Sequence, residues 1–266
     1  MDQQTLKQYR DFAVAVTHGA GKIVLEYFES RDLGKMIKAD NSPVTIADMK
    51  SNHYVIERVK EYFPKHGVLG EEESNGDPGT IKDLWLCDPI DGTAAFTWGL
   101  PTGVVSLAYV RDGVPLIGVV YDPYMKRTYS AIKGDGSYLN GHPVHVSKHG
   151  LRSGTMGINQ LDSYRFRAFY NDLRTRGVHL ATYSGLVYQA MTIATGRLVG
   201  RVFTHIGPHD VAALKVIVEE AGGVVTDLDG REQRYDGPIN GAVISNKVVH
   251  HEILDMIAKH GVKVVV

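Results

Sequence analysis

With 266 residues, 43% of them hydrophobic and 22% charged, the chain has the make-up of an ordinary globular protein, one large or two intimately joined domains. A formal net charge of -1 excludes the general positive field that a nucleic-acid polymer or an acidic membrane would need, so attraction for a phosphorylated ligand must be local. Cys87 is the only cysteine, which excludes an intrachain disulfide, and residues 1–5 carry neither a basic nor an apolar targeting region. No apolar run approaches the ~18 residues of a membrane helix, so a cytoplasmic protein is the expectation.

From Leu6 the apolar positions Tyr9, Phe12, Ala13, Val16, Ala20, Ile23, Val24, Tyr27 and Phe28 recur at three- and four-residue spacing, predicting one amphipathic helix that ends near Ser30. Residues 36–46 read as a short hairpin turning at Asp40-Asn41-Ser42-Pro43. Lys38 lies on it, either as a solvated lysine or as part of a site. Asp48 opens the next helix, with Val55, Ile56, Val59, Tyr62 and Phe63 on its core face, and an acid there suits the helix dipole without any further role. A strand over 67–70 then delivers Glu71-Glu72-Glu73, a solvated loop unless something nearby needs carboxylates.

The next apolar run ends in Trp85-Leu86-Cys87-Asp88-Pro89-Ile90-Asp91-Gly92-Thr93-Ala94-Ala95-Phe96. Pro89 disfavours helical backbone for Asp88, which is therefore read as the extended last residue of a buried strand beginning at Leu84, with Asp91 in the turn that follows. Gly92 lets backbone approach a ligand, and Thr93 reads as a helix N-cap, so the corner offers two carboxylates beside a helix N-terminus suited to phosphate. Two close aspartates repel, and a divalent ion relieves them; all-oxygen ligation points to Mg²⁺, Mn²⁺ or Ca²⁺ rather than zinc. Cys87, inside the apolar run, reads as a small core residue.

Strands are predicted over 103–111, 114–121, 127–132 and 137–146, joined at Asp112-Gly113 and Asp135-Gly136 as antiparallel hairpins. The composition changes at residues 147–150, which suggests an N-terminal α+β half over 1–147 and a C-terminal α/β half over 148–266. In the second half, helices over 161–176, 186–195 and 209–221 alternate with strands over 178–183 and 198–204; strands over 224–227 and 242–245 and a helix over 248–260 close the chain. Asp210 sits at a helix N-terminus, and taken alone it is only a cap.

Taken together, Gly70-Glu71-Glu72, Asp88-Pro89-Ile90-Asp91-Gly92-Thr93, and Asp210-Val211-Ala212-Ala213 running into Glu219-Glu220-Ala221-Gly222-Gly223 resemble the inositol monophosphatase family of metal-dependent phosphatases. The likeness extends from about Lys38 to Asn246. It implies a five-layered α-β-α-β-α sandwich (an α+β half joined to an α/β half), a homodimer, and lithium sensitivity. It also implies that Glu71, Asp88 and the Ile90 carbonyl hold one Mg²⁺, that Asp88, Asp91 and Asp210 hold a second, and that Glu71, through waters, helps hold a weaker third near Asp48. Mn²⁺ is a substitute. Glu71 and Thr93 would orient the attacking water, and the Gly92, Thr93 and Ala94 N–H groups would hold the phosphate.

The alcohol end departs from the inositol-selective pattern. His209-Asp210 stands where such members carry Trp-Asp, Phe203 aligns with an acid that faces inositol hydroxyls, and Ser184-Gly185-Leu186-Val187 replaces a small-residue stretch. His209 either contacts substrate or caps and packs; Trp98 either lines the pocket or belongs to the core. The expected activity is Mg²⁺-dependent hydrolysis of small phosphomonoesters of polyols, sugars or amino alcohols. A 3′-phosphonucleotide or bisphosphate nucleotidase is the alternative, disfavoured by Ala94-Ala95-Phe96 where such enzymes usually carry Lys-Glu-Phe. A non-catalytic regulatory relative is the third reading.

Overall fold

The computed structural model describes residues 1–30, 32–39, 41–77, 79–158, 164–182 and 185–264, with only the backbone of Tyr164 and Arg165. The long amphipathic pattern forms α1 (Gln3–Phe28), capped by Asp2, whose carboxylate accepts from the Thr5 N–H. The short hairpin is β1 (Met36–Ile37) with β2 (Pro43–Val44), and α2 (Ile46–Tyr62) follows. Thr45 and Asp48 cap α2 reciprocally, and Asp48, its third residue, stands in the first turn as expected.

A seven-stranded sheet comes next, built in sequence order from β3 (Gly67–Gly70), β4 (Asp83–Asp91), β5 (Val104–Arg111), β6 (Val114–Asp122), β7 (Arg127–Ile132), β8 (Gly136–Leu139) and β9 (His142–Pro143). Only the β3–β4 pairing is parallel. The five-residue helix α3 (Thr93–Thr97) sits between β4 and β5. The strand expected over 137–146 is two strands, because Asn140 and Gly141 adopt positive φ of 49° and 79° and turn the chain.

The second half supplies β10 (Thr155–Gly157), α4 (Tyr164–Thr175), β11 (His179–Ala181), α5 (Leu186–Ala194), β12 (Gly200–Phe203), α6 (Pro208–Glu220), β13 (Gly223–Thr226), β14 (Ala242–Asn246) and α7 (His250–His260). Its sheet has the order β11-β10-β12-β14-β13, parallel at β11–β10–β12 and antiparallel beyond. The starts of the helix predicted from 161 and the end of the strand predicted to 183 fall outside the described residues.

Alternation along the strands sorts apolar side chains into three cores. Trp85, Cys87, Val105, Leu107 and Tyr109 face α1 and α2, whereas Leu84, Leu86, Val104, Ala108 and Val110 face α5 and α6. On their other side α5 and α6 meet the second sheet through Ala242 and Ile244, and that sheet's outer face packs on α4 and α7 through Val202, Val243, Phe169 and Met256. The result is the α-β-α-β-α stack that the resemblance implies, with the α5/α6 core shared by both halves. No helix among the described residues is long and apolar enough to cross a membrane.

Candidate active site

β4 does not end at Asp88. Its pairing with β5 runs Asp88↔Ser106 and then Asp91↔Val104, so three residues of β4 span two of β5. This bulge at Pro89-Ile90 resets the alternation. Asp88 and Asp91, three apart in sequence, thereby point to the same face, the one covered by α5 and α6. Sequence reasoning placed Asp91 in a turn after the strand; the bulge is what keeps it inside.

Gly92 follows with φ 93°, a left-handed conformation open to glycine, and it rather than Thr93 is the N-cap of α3. Thr93 is the first helical residue. Its hydroxyl donates toward Asp48 Oδ1 (2.9 Å) and the Ile90 carbonyl (3.0 Å). Asp48 is buried and also accepts from the Thr45 hydroxyl (2.5 Å) and N–H (2.8 Å). Burial dominates the Asp48 carboxyl and raises its pKa despite these donors.

Glu71, Asp88, Ile90, Asp91, Gly92, Thr93, Ala94 and Asp210 line one cavity of about 280 Å³, together with Ser42, Pro43, Gly185, Leu186 and Arg201. The two loops that join β3 to β4 and β12 to α6 bring Glu71 and Asp210 to the β4 aspartates. Asp88 accepts from the Ile90 N–H at 3.0 Å. Asp91 accepts from the Leu186 N–H (2.7 Å) and the Tyr188 N–H (3.2 Å) at the start of α5, and Asp210 from the Gly207 N–H (2.6 Å). Lys38 bridges Glu71 (2.8 Å) and Glu72 (2.5 Å). Burial disfavours the Lys38 charge, but those two carboxylates outweigh it and raise its pKa.

The electrostatics record an excess of negative charge. Burial, and then the neighbouring Glu71, Asp91 and Asp210, push Asp88 well above the usual carboxylate range. Burial and Asp210 raise Asp91 to about 7, against the pull of the two α5 N–H groups and Arg201. Burial likewise raises Asp210, opposed by His209 and the Gly207 N–H. Divalent cations answer this excess, and the donor set is all oxygen. Among the described residues no three His, Cys, Asp or Glu side chains converge tightly enough to ligate one ion as they stand. Asp91, Asp210 and Glu71 each spend oxygens on N–H or ammonium donors. Cys87 is fully buried, and burial pushes its thiol up, so it is a core residue and no nucleophile.

Other sequence candidates lie elsewhere. Phe203 is 2% exposed, belongs to the central core and does not line this cavity. The reason is its strand: β12 packs face-on against α5 and α6. Arg201, two residues earlier and so on the same face of β12, stacks on the Phe203 ring at 4.6 Å and reaches the cavity in its place. Its signal in the sequence was a single basic residue inside the apolar run 198–204. Trp98 is 66% exposed and neither lines the cavity nor joins a core. His209 faces a neighbouring cleft, its Nε2 3.7 Å from Asp210 Oδ2. Ser184 lies outside the described residues.

The sequence model of the inositol monophosphatase family matches residues 5–263. A histidinol-phosphatase of Chlorobaculum parvum is 33% identical over 91% of this chain and 93% of its own. A protein of Pasteurella multocida named Nus factor SuhB is 30% identical over 83% and 85%. A solved structure of a Thermotoga maritima IMPase superposes with a TM-score of 0.84 at 28% identity, covering 94% of this chain and 97% of that one. Layers, bulged Asp-Pro-Ile-Asp corner and matched sequence agree in one assignment: the chain belongs to the inositol monophosphatase family, a family of phosphatases.

Proposed function

We propose that this chain is a Mg²⁺-dependent phosphatase of small phosphomonoesters, among them polyol, sugar and amino-alcohol monophosphates. The observation that carries the reading is the β4 bulge, which turns Asp88 and Asp91 to one face opposite Asp210 and Glu71 beside the α3 N–H groups. Glu71, Asp88 and the Ile90 carbonyl would hold one ion and Asp88, Asp91 and Asp210 another, with a weaker third near Asp48 and Mn²⁺ as a substitute. Bound there, the ions supply positive charge against the monoester dianion and lower the pKa of a coordinated water.

The chain's own groups do the rest. Thr93 spends its proton on Asp48 or the Ile90 carbonyl, so its oxygen is left to accept a hydrogen from the attacking water and to fix the direction of attack. The N–H groups of Gly92, Thr93 and Ala94 hold phosphate without reading the alcohol. Arg201 adds a cation to the wall of the same cavity. Among phosphomonoesters, efficiencies should lie within roughly two orders of magnitude, because the backbone N–H groups and ions that hold the phosphate are blind to the alcohol.

Phosphate release from inositol 1-phosphate, histidinol phosphate, a sugar phosphate and a 3′-phosphonucleotide, each with Mg²⁺ and after chelation, tests the reading. Asp88→Asn should lower kcat by about a thousandfold or more while the far-ultraviolet spectrum is unchanged, since a shared ligand is lost. Full activity after exhaustive chelation, or in that variant, sinks the mechanism. A thousandfold preference for the nucleotide would favour the nucleotidase instead. Lithium should inhibit by competing at the Asp210 position.

A further inference from the structure

Beside the carboxylate cavity lies a larger one of about 640 Å³, walled by Leu69, Ile206, Pro208, Pro238 and Ile239, with Asp77, His209 and Asp236 as its polar side chains. The two cavities share their partition. Gly70 and His209 line the larger one, and the next residue of each, Glu71 and Asp210, lines the smaller. Across that partition His209 Nε2 stands 3.7 Å from Asp210 Oδ2.

We propose that this cleft is the compartment for the organic part of the substrate, and that it selects phosphomonoesters whose alcohol carries an aromatic or heteroaromatic ring. The proposal rests on the phosphatase reading above. At about 280 Å³ the carboxylate cavity has room for ions, water and a phosphate group, whereas a ring attached to that phosphate needs further space. The adjacent cleft offers that space at the size typical of ligand sites, with mostly apolar walls and a few polar side chains, Asp77, His209 and Asp236. A ring buries apolar area against Leu69, Ile206, Pro238 and Ile239, while the His209 imidazole can stack on it or hydrogen-bond to a ring nitrogen. A bare polyol gains little there, because the apolar walls offer its hydroxyls nothing and the Asp77 and Asp236 carboxylates already accept from the Gly79 N–H and from Arg234.

Gly237 gives a clean test. It lines the cleft, its φ is not in the left-handed region, and a Cβ added there meets nothing within 4 Å. Gly237→Phe therefore fills the cleft without strain, and Ile239→Asn makes its wall polar as an independent second variant. Steady-state kinetics with Mg²⁺ would compare 1-naphthyl phosphate with glycerol 2-phosphate, on proteins whose melting curves match the parent. Each variant should raise KM for 1-naphthyl phosphate roughly tenfold, the scale of a lost apolar contact, and leave glycerol 2-phosphate within about twofold, as expected when only the apolar compartment is altered. Equal effects on both substrates, or none on either, overturn the compartment while leaving the phosphatase intact. If the parent hydrolyses neither ester, the phosphatase reading itself falls, and this inference with it.

Discussion

His250 shows how a single buried ring is tuned by what surrounds it. The Thr226 hydroxyl donates to the Asp227 carbonyl, so its oxygen accepts from His250 Nε2–H (3.1 Å), and Nδ1 then accepts from the Ser245 hydroxyl (2.7 Å). The ring is held neutral. Burial, helped by the charge of His251, lowers its pKa from 6.5 to about 4. The unfolded chain binds this proton below pH 6.5 and the folded chain only near pH 4, so the contribution to stability is present above pH 6.5 and is lost as pH falls through that window. Because other groups titrate there, the measurable quantity is a difference. The stability advantage of the parent over His250→Gln, by urea unfolding, should shrink by up to about 3 kcal/mol between pH 7 and pH 4; a constant difference would show that the ring is not held neutral. None of this was legible from sequence, where His250 is one of 12 histidines. Glu71, Asp88, Asp91 and Asp210 were legible because their motifs are local in sequence. Phe203 was placed on the cavity wall when it is in the core, since alignment fixes a position along a strand but not what the strand's face packs against.

At the level of elements, the predicted strands and helices mostly stand, and the departures share one cause. Turns and bulges need particular backbone angles that apolar periodicity does not report. The bulge in β4 and the Asn140-Gly141 turn are both of this kind, although Asn-Gly is itself a hairpin signal that could have split 137–146. The join between Asp91 and α5 is another. Gly185 precedes α5 with φ 87°, and a Cβ there would sit 3.0 Å from Asp91 Oδ2. Its bare backbone thus lets the Leu186 and Tyr188 N–H groups close on the carboxylate at the positive end of the helix. Gly185→Ala should cost about 1–3 kcal/mol from backbone strain and lower kcat further than that loss accounts for, because Asp91 is pushed out of place. Thermal unfolding and kinetics at saturating Mg²⁺ would check both, and an unchanged kcat would show that α5 does not position Asp91. A second tie acts between α4 and α7, where Asp172 accepts from Arg176 (2.9 Å), Lys259 (2.7 Å) and His260 (2.8 Å). These donors hold the Asp172 carboxyl below the usual range. As an exposed network its removal in Asp172→Asn should cost only about 1 kcal/mol, measurable by urea unfolding and gone once acid protonates the parent carboxyl.

Across the whole molecule, the carboxylates belong to different layers. Asp88 and Asp91 come from the first sheet, Glu71 from the loop that leaves β3, and Asp210 from α6 in the middle layer. Ions bound among them would cross-link the first sheet to the layer that also carries the second sheet. They bind only where the folded chain has assembled the set, so they stabilise it by mass action, by about 2.7 kcal/mol at a hundred times Kd. For a chain of this length that is a rise in Tm of roughly 5–10 °C. Protons compete for the same oxygens. Asp91 is raised to about 7 by burial and by Asp210, so below that pH the folded protein holds a proton there that an ion must displace. The unfolded carboxyl has already lost its proton above about pH 4. In chelator, therefore, this group stabilises the folded state at low pH, and that contribution is lost as pH rises through 7. With Mg²⁺ the sign reverses: the ion-induced rise in Tm should be small at pH 6 and larger at pH 8. Differential scanning calorimetry with and without Mg²⁺ at the two pH values decides it. Asp88→Asn should abolish the rise at both, whereas a Tm indifferent to Mg²⁺ at pH 8 would mean that these carboxylates do not form an ion site.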